Sequence, residues 1–146
     1  MAVYTPFLAG QILTAGKLNS ALIEELMEWT PWTSVGSFSS GFSAAPLTPM
    51  IRKVRILGAE RWEYKGRIAV ASTTIGPNAN VTAFTFNSGY RPAFEHGFQL
   101  AGGSTGFYGI RVTVSPAGLF QVGLPAAGPN TTSGILLDGL HVDAPV

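Results

Sequence analysis

The chain has no cysteine. Disulfides, thiolate nucleophiles and cysteine-ligated metals are therefore excluded, and the fold must rest on packing and hydrogen bonding. Charge is scarce as well. Asp, Glu, Lys and Arg make up 12% of the residues, against about 25% in an average soluble domain. A surface so poor in charge has little of the self-repulsion that keeps copies of a chain apart, which points to self-association or packing into a larger assembly. Nine basic and eight acidic residues leave a net charge of +1, so no clustered basic face draws the chain to a phosphate backbone. The tightest basic group, "IRKVR" at 51–55, is divided in a strand: Arg52 points opposite to Lys53, which shares its face with Arg55. No apolar run approaches the roughly 20 residues of a membrane-spanning helix. The opening "MAVYTPFLAGQIL" lacks the basic n-region and apolar core of a secretory signal. Synthesis in the cytosol, with any exit by a route other than secretion, is the expectation.

Catalytic equipment is equally thin. The only histidines are His96 and His141, and a hydrolase triad needs a nucleophile, a histidine and an orienting acid in mutual reach. "GGSTG" at 102–106 does not match the G-x-S-x-G elbow. A metal set drawn from His96, His141, Asp138 and Asp143 lacks any pair at the helical i, i+4 spacing. Neither G-x-G-x-x-G nor a Walker loop occurs. Glu60 and Glu63 fall on opposite faces of a strand, which denies them the geometry of a glycosidase pair. No catalytic residue, cofactor or metal is expected, and the chain reads as a non-enzyme.

What is present is apolar, glycine-rich and periodic. Residues 1–13 form an extended apolar arm through Val3, Tyr4, Phe7, Leu8, Ile12 and Leu13, broken by Pro6 and Gly10. So apolar an arm is expected to lie on another surface. The stretch "TAGKLNSALIEELMEW", 14–29, predicts a short α-helix. Thr14 is its N-cap, Leu18, Ala21, Leu22, Leu26 and Trp29 form its apolar stripe, and Pro31 ends it. Residues 31–50 make a Ser/Gly/Pro-rich connector anchored by Trp32, Val35, Phe38 and Phe42, which is too aromatic for a disordered linker.

From 51 to 146 the pattern is one of strands. In "RWEYKGRIAVA", Trp62, Tyr64, Ile68 and Val70 face one way and Glu63, Lys65 and Arg67 the other. "NVTAFTF", "AFEHGFQLA" with Phe94, His96, Phe98 and Leu100 on one face, "YGIRVTV", "GLFQVGL" and "GILLDGLHV" continue the series. His96 reads as a half-buried strand residue with one satisfied nitrogen. In "VSPAGLF", Pro116 and Gly118 mark a hairpin, with Gly118 supplying a positive φ. About seven short strands at roughly 8–12-residue spacing predict a mainly β fold: an antiparallel, jelly-roll-like β-sandwich head behind the arm and helix.

Between two of these strands stands "NSGYRP", 87–92. Gly89 is expected to take an unusual φ, Pro92 to hold Arg91 extended, Tyr90 to cover the edge of the core, and Arg91 to bind carbonyls or a carboxylate. Gly89, Tyr90, Arg91 and Pro92 thus read as a structural corner. A strand ending in Gly-Tyr-Arg-Pro, followed by "AF", a polar loop, "IRVTVSPAGLFQV" and a closing "ILLDGLHV", resembles the C-terminal head domain of bacteriophage tail and fibre proteins. Many of these carry a Leu-Pro-x-Gly-Tyr-Arg-Pro corner, of which Asn87 and Ser88 replace the first half. "YTPFLAGQILTAGKLNSAL" resembles the start of small tail proteins from phages of actinobacteria, and "RWEYKGRIAV" resembles a strand of those proteins.

The resemblance implies a homotrimeric virion protein, tail-associated or fibre-like, whose head contacts the host surface and which has no catalytic residue to transfer. Tyr4, Phe7, Leu18, Leu22 and Leu26 are then the trimerisation and attachment residues. The implied partners are two further copies of the chain, other virion proteins and a host-surface glycan, without nucleic acid or membrane insertion. A capsid-bound decoration protein or head fibre is the alternative, and a free carbohydrate-binding module a third reading. In "GGSTGFYG", Phe107 and Tyr108 are the candidate receptor contacts, with packing against a neighbouring protomer as the competing role.

Overall fold

A computed structural model describes residues 15, 22–71, 75–103, 109–126, 132–143 and 145–146. Strands dominate these residues. In chain order they are β1 (Ile23–Pro31), β2 (Gly36–Phe38), β3 (Phe42–Ala44), β4 (Met50–Ile56), β5 (Ala59–Lys65) and β6 (Arg67–Val70). The second half adds β7 (Asn80–Phe86), β8 (His96–Ala101), β9 (Gly109–Val114), β10 (Leu119–Gly123), β11 (Gly134–Leu136) and β12 (His141–Asp143). They form three sheets, ordered β1-β4-β5-β12, β2-β7-β10-β9-β8 and β11-β6-β3. Every pairing between these strands is antiparallel. The mainly β, sandwich-like architecture is the one the alternating sequence predicts.

The core forms where the inward residues of all three sheets meet. Trp62 and Tyr64 come from β5, Phe84, Phe86 and Phe120 from β7 and β10, and Ile68 and Ile135 from β6 and β11. Trp32, carried on a single 3₁₀ turn (Trp32–Ser34), is fully buried at their centre. Its ring centre lies 4.9 Å from those of Phe84 and Phe86, 5.1 Å from Phe120 and 5.9 Å from Tyr64. Tilted and edge-on rings at such distances add about 0.5–1.5 kcal/mol per pair beyond the area they bury. The connector is thus tied down by its aromatics.

Two glycines carry the turns that the fold depends on. Gly118 has φ +84°, and its N–H donates to the Ser115 carbonyl while the Ser115 N–H donates to Leu119. This is the expected hairpin, a tight turn closed by a left-handed glycine. Gly66, at φ +97°, interrupts the long alternating stretch. Trp62, Tyr64, Ile68 and Val70 are all buried as predicted, yet β5 and β6 belong to different sheets. The left-handed residue lets the chain leave one sheet and enter the next without turning its apolar face outward.

The helix expected over 14–29 is corrected from residue 23 onward. Ala15 and Leu22 are helical, but Ile23–Pro31 is a strand at the edge of the first sheet. Its partner is β4, with Ile23 opposite Ile56 and Glu24 opposite Arg55. Arg55 donates to the Glu24 carboxylate at 2.7 Å. A helix of this length is marginal alone in water, whereas β4 offers a whole row of unpaired backbone groups. Two register shifts, between Glu25 and Met27 and between Met27 and Thr30, reconcile a sequence of mixed periodicity with the ladder. Leu22 and Leu26 therefore do not share a helical stripe: Leu22 is 36% exposed and Leu26 half-buried in a strand. Leu18, Tyr4 and Phe7 lie outside the described residues.

Phe94 also departs from expectation. It precedes β8 and is 70% exposed, because the chain there runs against the C-terminus, with the Ala93 N–H donating to the Pro145 carbonyl at 2.7 Å. The face formed by His96, Phe98 and Leu100 is half-buried.

Candidate functional site

The Gly-Tyr-Arg-Pro stretch is a junction between elements. Ser88–Tyr90 is a 3₁₀ turn, anchored by the Asn87 N–H donating to Val35 and the Tyr90 N–H donating to Asn87. The Arg91 Nε donates to the Phe86 carbonyl at 3.0 Å, folding the guanidinium back over the end of β7. Pro92 is buried. Lys53 reaches across from β4: its Nζ donates to the Gly89 carbonyl and lies 4.5 Å from the Tyr90 ring centre and 4.6 Å from that of Trp62. Burial pushes the Lys53 ammonium below the ordinary lysine range, against an opposing pull from Glu60. Glu60 in turn accepts from the Trp62 indole N–H at 2.8 Å. One expectation is corrected here. Gly89 does not lie in the left-handed region, and a Cβ built on it would meet open space. A 3₁₀ turn uses right-handed backbone angles that any residue adopts, so the turn does not need a glycine at this position.

A second feature lies on the outer face of the β7-β10-β9-β8 ribbon. Asn80 is opposite Gly123, Gly123 opposite Arg111, and Arg111 opposite Gln99. Four strands therefore contribute one straight row, spanning roughly 14 Å at about 4.8 Å per strand. Gly123 leaves the middle of the row without a side chain. Its absent Cβ would sit 2.6 Å from the Ala79 carbonyl oxygen, so a larger residue is barred there. The result is a cleft of about 540 Å³, within the range of small-ligand sites. Asn78, Asn80, Gln99 and Arg111 supply its polar groups, and Phe98, Leu124 and Pro125 its apolar ones. Asn78 adopts φ +54°, held by its N–H bond to the Leu124 carbonyl.

The remaining sequence candidates are dispersed. His141 sits on β12, its Nε2 3.5 Å from Asp143, and Asp138 accepts from the Gly66 N–H. His96 is on β8 in another sheet, stacked on Phe98 with ring centres 6.3 Å apart. Its Nε2 is buried and has no partner among the described residues. Glu63 pairs with Arg52. Among the described residues no three His, Asp or Glu side chains gather as a metal set, and no helix is long and apolar enough to cross a membrane. Phe107 and Tyr108 lie outside the described residues, in the segment leading into Gly109, which lines the cleft.

Sequence reasoning passed over the cleft. Strand alternation does turn Arg111 and Gln99 outward, since Ile110, Val112 and Val114 point in. That four outward residues on four strands stand in line depends on register, which no local pattern specifies.

No protein-family model matches the chain, and no curated protein matches it. Solved structures do. The receptor-binding protein gp15 of Listeria phage PSA superposes with a TM-score of 0.57 at 13% identity, covering 88% of this chain and 70% of that one. The head domain of lactococcal phage bIL170, described as a receptor-binding domain, superposes with a TM-score of 0.52 at 19% identity, covering 82% of this chain and 98% of that one. At such identities the likeness is one of fold: this chain folds as phage receptor-binding heads do.

Proposed function

We propose that the chain is a bacteriophage virion protein of the host-attachment apparatus, tail-associated, whose β head contacts the cell surface. The observation that carries this is the superposition on gp15 of Listeria phage PSA over 88% of the chain. Three features support it. The chain is poor in charge, as suits a component packed in an assembly. Its opening phrases resemble those of actinobacteriophage tail proteins. Its described polar groups form a concave surface suited to binding.

The working form is a homotrimer, with the arm bearing Tyr4 and Phe7 attached to the rest of the virion. A clamp of three helices through Leu22 and Leu26 is not part of this reading, because Leu26 lies in β1, which begins directly after Leu22. Apolar surface for contact between copies is instead available where Leu22, Ile23 (57% exposed) and Leu57 (74% exposed) cluster at one end of the first sheet, with the Leu57 N–H donating to Leu22. The Gly89–Pro92 corner serves the scaffold. Phe107 and Tyr108 remain the proposed loop contacts.

The test is immunogold labelling of the virion that carries the chain, together with adsorption in the presence of the free purified protein. Label at the tail tip and blocked adsorption are expected. Label over the capsid with adsorption unaffected would sink the reading and identify a capsid-decoration protein. Light scattering of the purified protein should give the mass of three chains, and a clean monomer at micromolar concentration would remove the trimer.

A further inference from the structure

The row Asn80, Gly123, Arg111, Gln99 has a chemical bias that its position alone does not give it. Arg111 is exposed and has no carboxylate partner among the described residues. Its neighbours in the cleft offer none either, for the described lining residues include no Asp or Glu. The other arginines contrast with it: Arg52, Arg55 and Arg61 are each paired with a carboxylate, Arg67 donates to the Gly103 carbonyl and Ser133, and Arg91 donates to the Phe86 carbonyl. Arg111 alone thus presents a guanidinium with no hydrogen-bond or ion-pair partner among the described residues, and it presents it inside a concavity. A guanidinium is planar, always charged and holds its donors in a fork that matches phosphate or carboxylate.

Around it the chemistry is that of hydroxyl recognition. Asn78, Asn80 and Gln99 each carry a carbonyl acceptor and an amide donor, the combination that meets a hydroxyl both as donor and as acceptor. Asn80 spends one donor at the long limit of 3.5 Å on Gln121, while Asn78 and Gln99 make no side-chain bond among the described residues. The side chain of Gln99 lies across Gly109, where any larger residue would overlap it. Pro125, exposed at the rim, adds apolar surface for the carbon skeleton of a ligand. A nucleic-acid backbone would demand several clustered cations, and the cleft has one.

We propose that this cleft binds a polyhydroxylated anion, a sugar or polyol unit bearing a phosphate or carboxylate group, with Arg111 on the anion and Asn78, Asn80 and Gln99 on the hydroxyls. As the receptor site it rests on the host-attachment reading. As a ligand site it stands on the cleft.

The experiment is an NMR titration of the full-length protein, following backbone amides, with glucose 1-phosphate and glucuronic acid as probes and with glucose and inorganic phosphate as controls. Saturable shifts at Gln99, Gly109, Arg111 and Gly123 are expected with both anionic sugars. Either control alone should need at least about tenfold more ligand, the equivalent of 1.4 kcal/mol. Arg111→Ala should weaken the anionic sugars at least about tenfold and Arg111→Lys by less. Gln99→Ala should weaken them while leaving phosphate unchanged, and salt should weaken binding throughout. Equal binding by Arg111→Ala, equal binding of glucose, equal binding of phosphate, or shifts confined to residues outside the cleft would each overturn the proposal. Retention on bacterial cells separates it from the reading it rests on. If Arg111→Ala is retained as well as the parent, the cleft is not the receptor site and the host-attachment reading stands. If the cleft titrates but no cells retain the protein, the ligand site stands and the reading falls.

Discussion

The ammonium of Lys53 sits 4.5 Å from the ring centre of Tyr90, joining the first sheet to the turn that ends β7. The same group faces Trp62 and donates to the Gly89 carbonyl. A cation held between two aromatic faces gains about 0.5–1 kcal/mol per face when exposed and up to about 2 when desolvated. Lys53→Ala should therefore lower stability by about 1–2 kcal/mol. A double-mutant cycle with Tyr90→Ala should show coupling of about 0.5–1 kcal/mol in denaturant unfolding. Strict additivity would mean that the turn is held by its backbone bonds alone.

Gly89 and Gly118 should respond oppositely to the same substitution. Gly118 has φ +84°, and an added Cβ would come within 2.6 Å of the Phe86 carbonyl oxygen. Gly118→Ala should cost more than about 1 kcal/mol. Gly89→Ala should be neutral or slightly stabilising, since the backbone is already permitted and the space is open. Equal melting temperatures for the two variants would contradict the backbone assignment.

Arg91 bonds the Phe86 carbonyl and packs beside Gly118. Arg91→Ala should lower stability by about 1–3 kcal/mol, the range for losing a charged hydrogen bond and exposing its acceptor. Arg91→Lys should lose less. If Arg91→Ala melts like the parent but no longer blocks adsorption, Arg91 belongs to the receptor surface and not to the scaffold.

Tyr64 is buried with its hydroxyl unpaired among the described residues, and burial pushes the phenol far above its ordinary range. A pKa raised on folding stabilises fully below the unfolded value and is lost as pH climbs. Stability should thus fall above about pH 10, by up to 1.36 kcal/mol per pH unit for this one group. Lys53 acts with the opposite sign, since its lowered pKa makes the fold more stable as pH rises toward the unfolded lysine value of about 10.4. Tyr64→Phe should be neutral or stabilising at pH 7, and its melting curve should flatten between about pH 10 and 11 relative to the parent. An unchanged alkaline slope would show that Tyr64 does not govern it.

Ile23 and Leu57 supply exposed apolar surface at one end of the first sheet. If copies meet there, Ile23→Glu with Leu57→Glu should drop the scattering mass to one chain with the circular dichroism unchanged. A mass that stays at three chains would move the contact elsewhere.

The class of the fold and most of its inward residues were legible along the chain, because strand alternation is a local property. Trp62, Tyr64, Ile68, Val70, Ile110, Val112 and Val114 declare themselves by period, and "SPAG" by its turn chemistry. The segment 23–29 did not, since "IEELMEW" suits either a helical stripe or a bulged strand. The unpaired edge of β4 decided between them, and that edge exists only once the sheet has formed. Gly89 looked like a residue that needed freedom, but its φ is set by a turn anchored to Val35, about fifty residues earlier in the chain. The alignment of Arg111 with Gln99, Gly123 and Asn80 is a matter of register among four strands, and register is fixed by long-range pairing. The sequence by itself determined that the protein is a cysteine-free, mainly β chain. Only the tertiary structure decided where Arg111 meets the amides, because hydrophobic period assigns a residue to a face and says nothing of which neighbour it will have there.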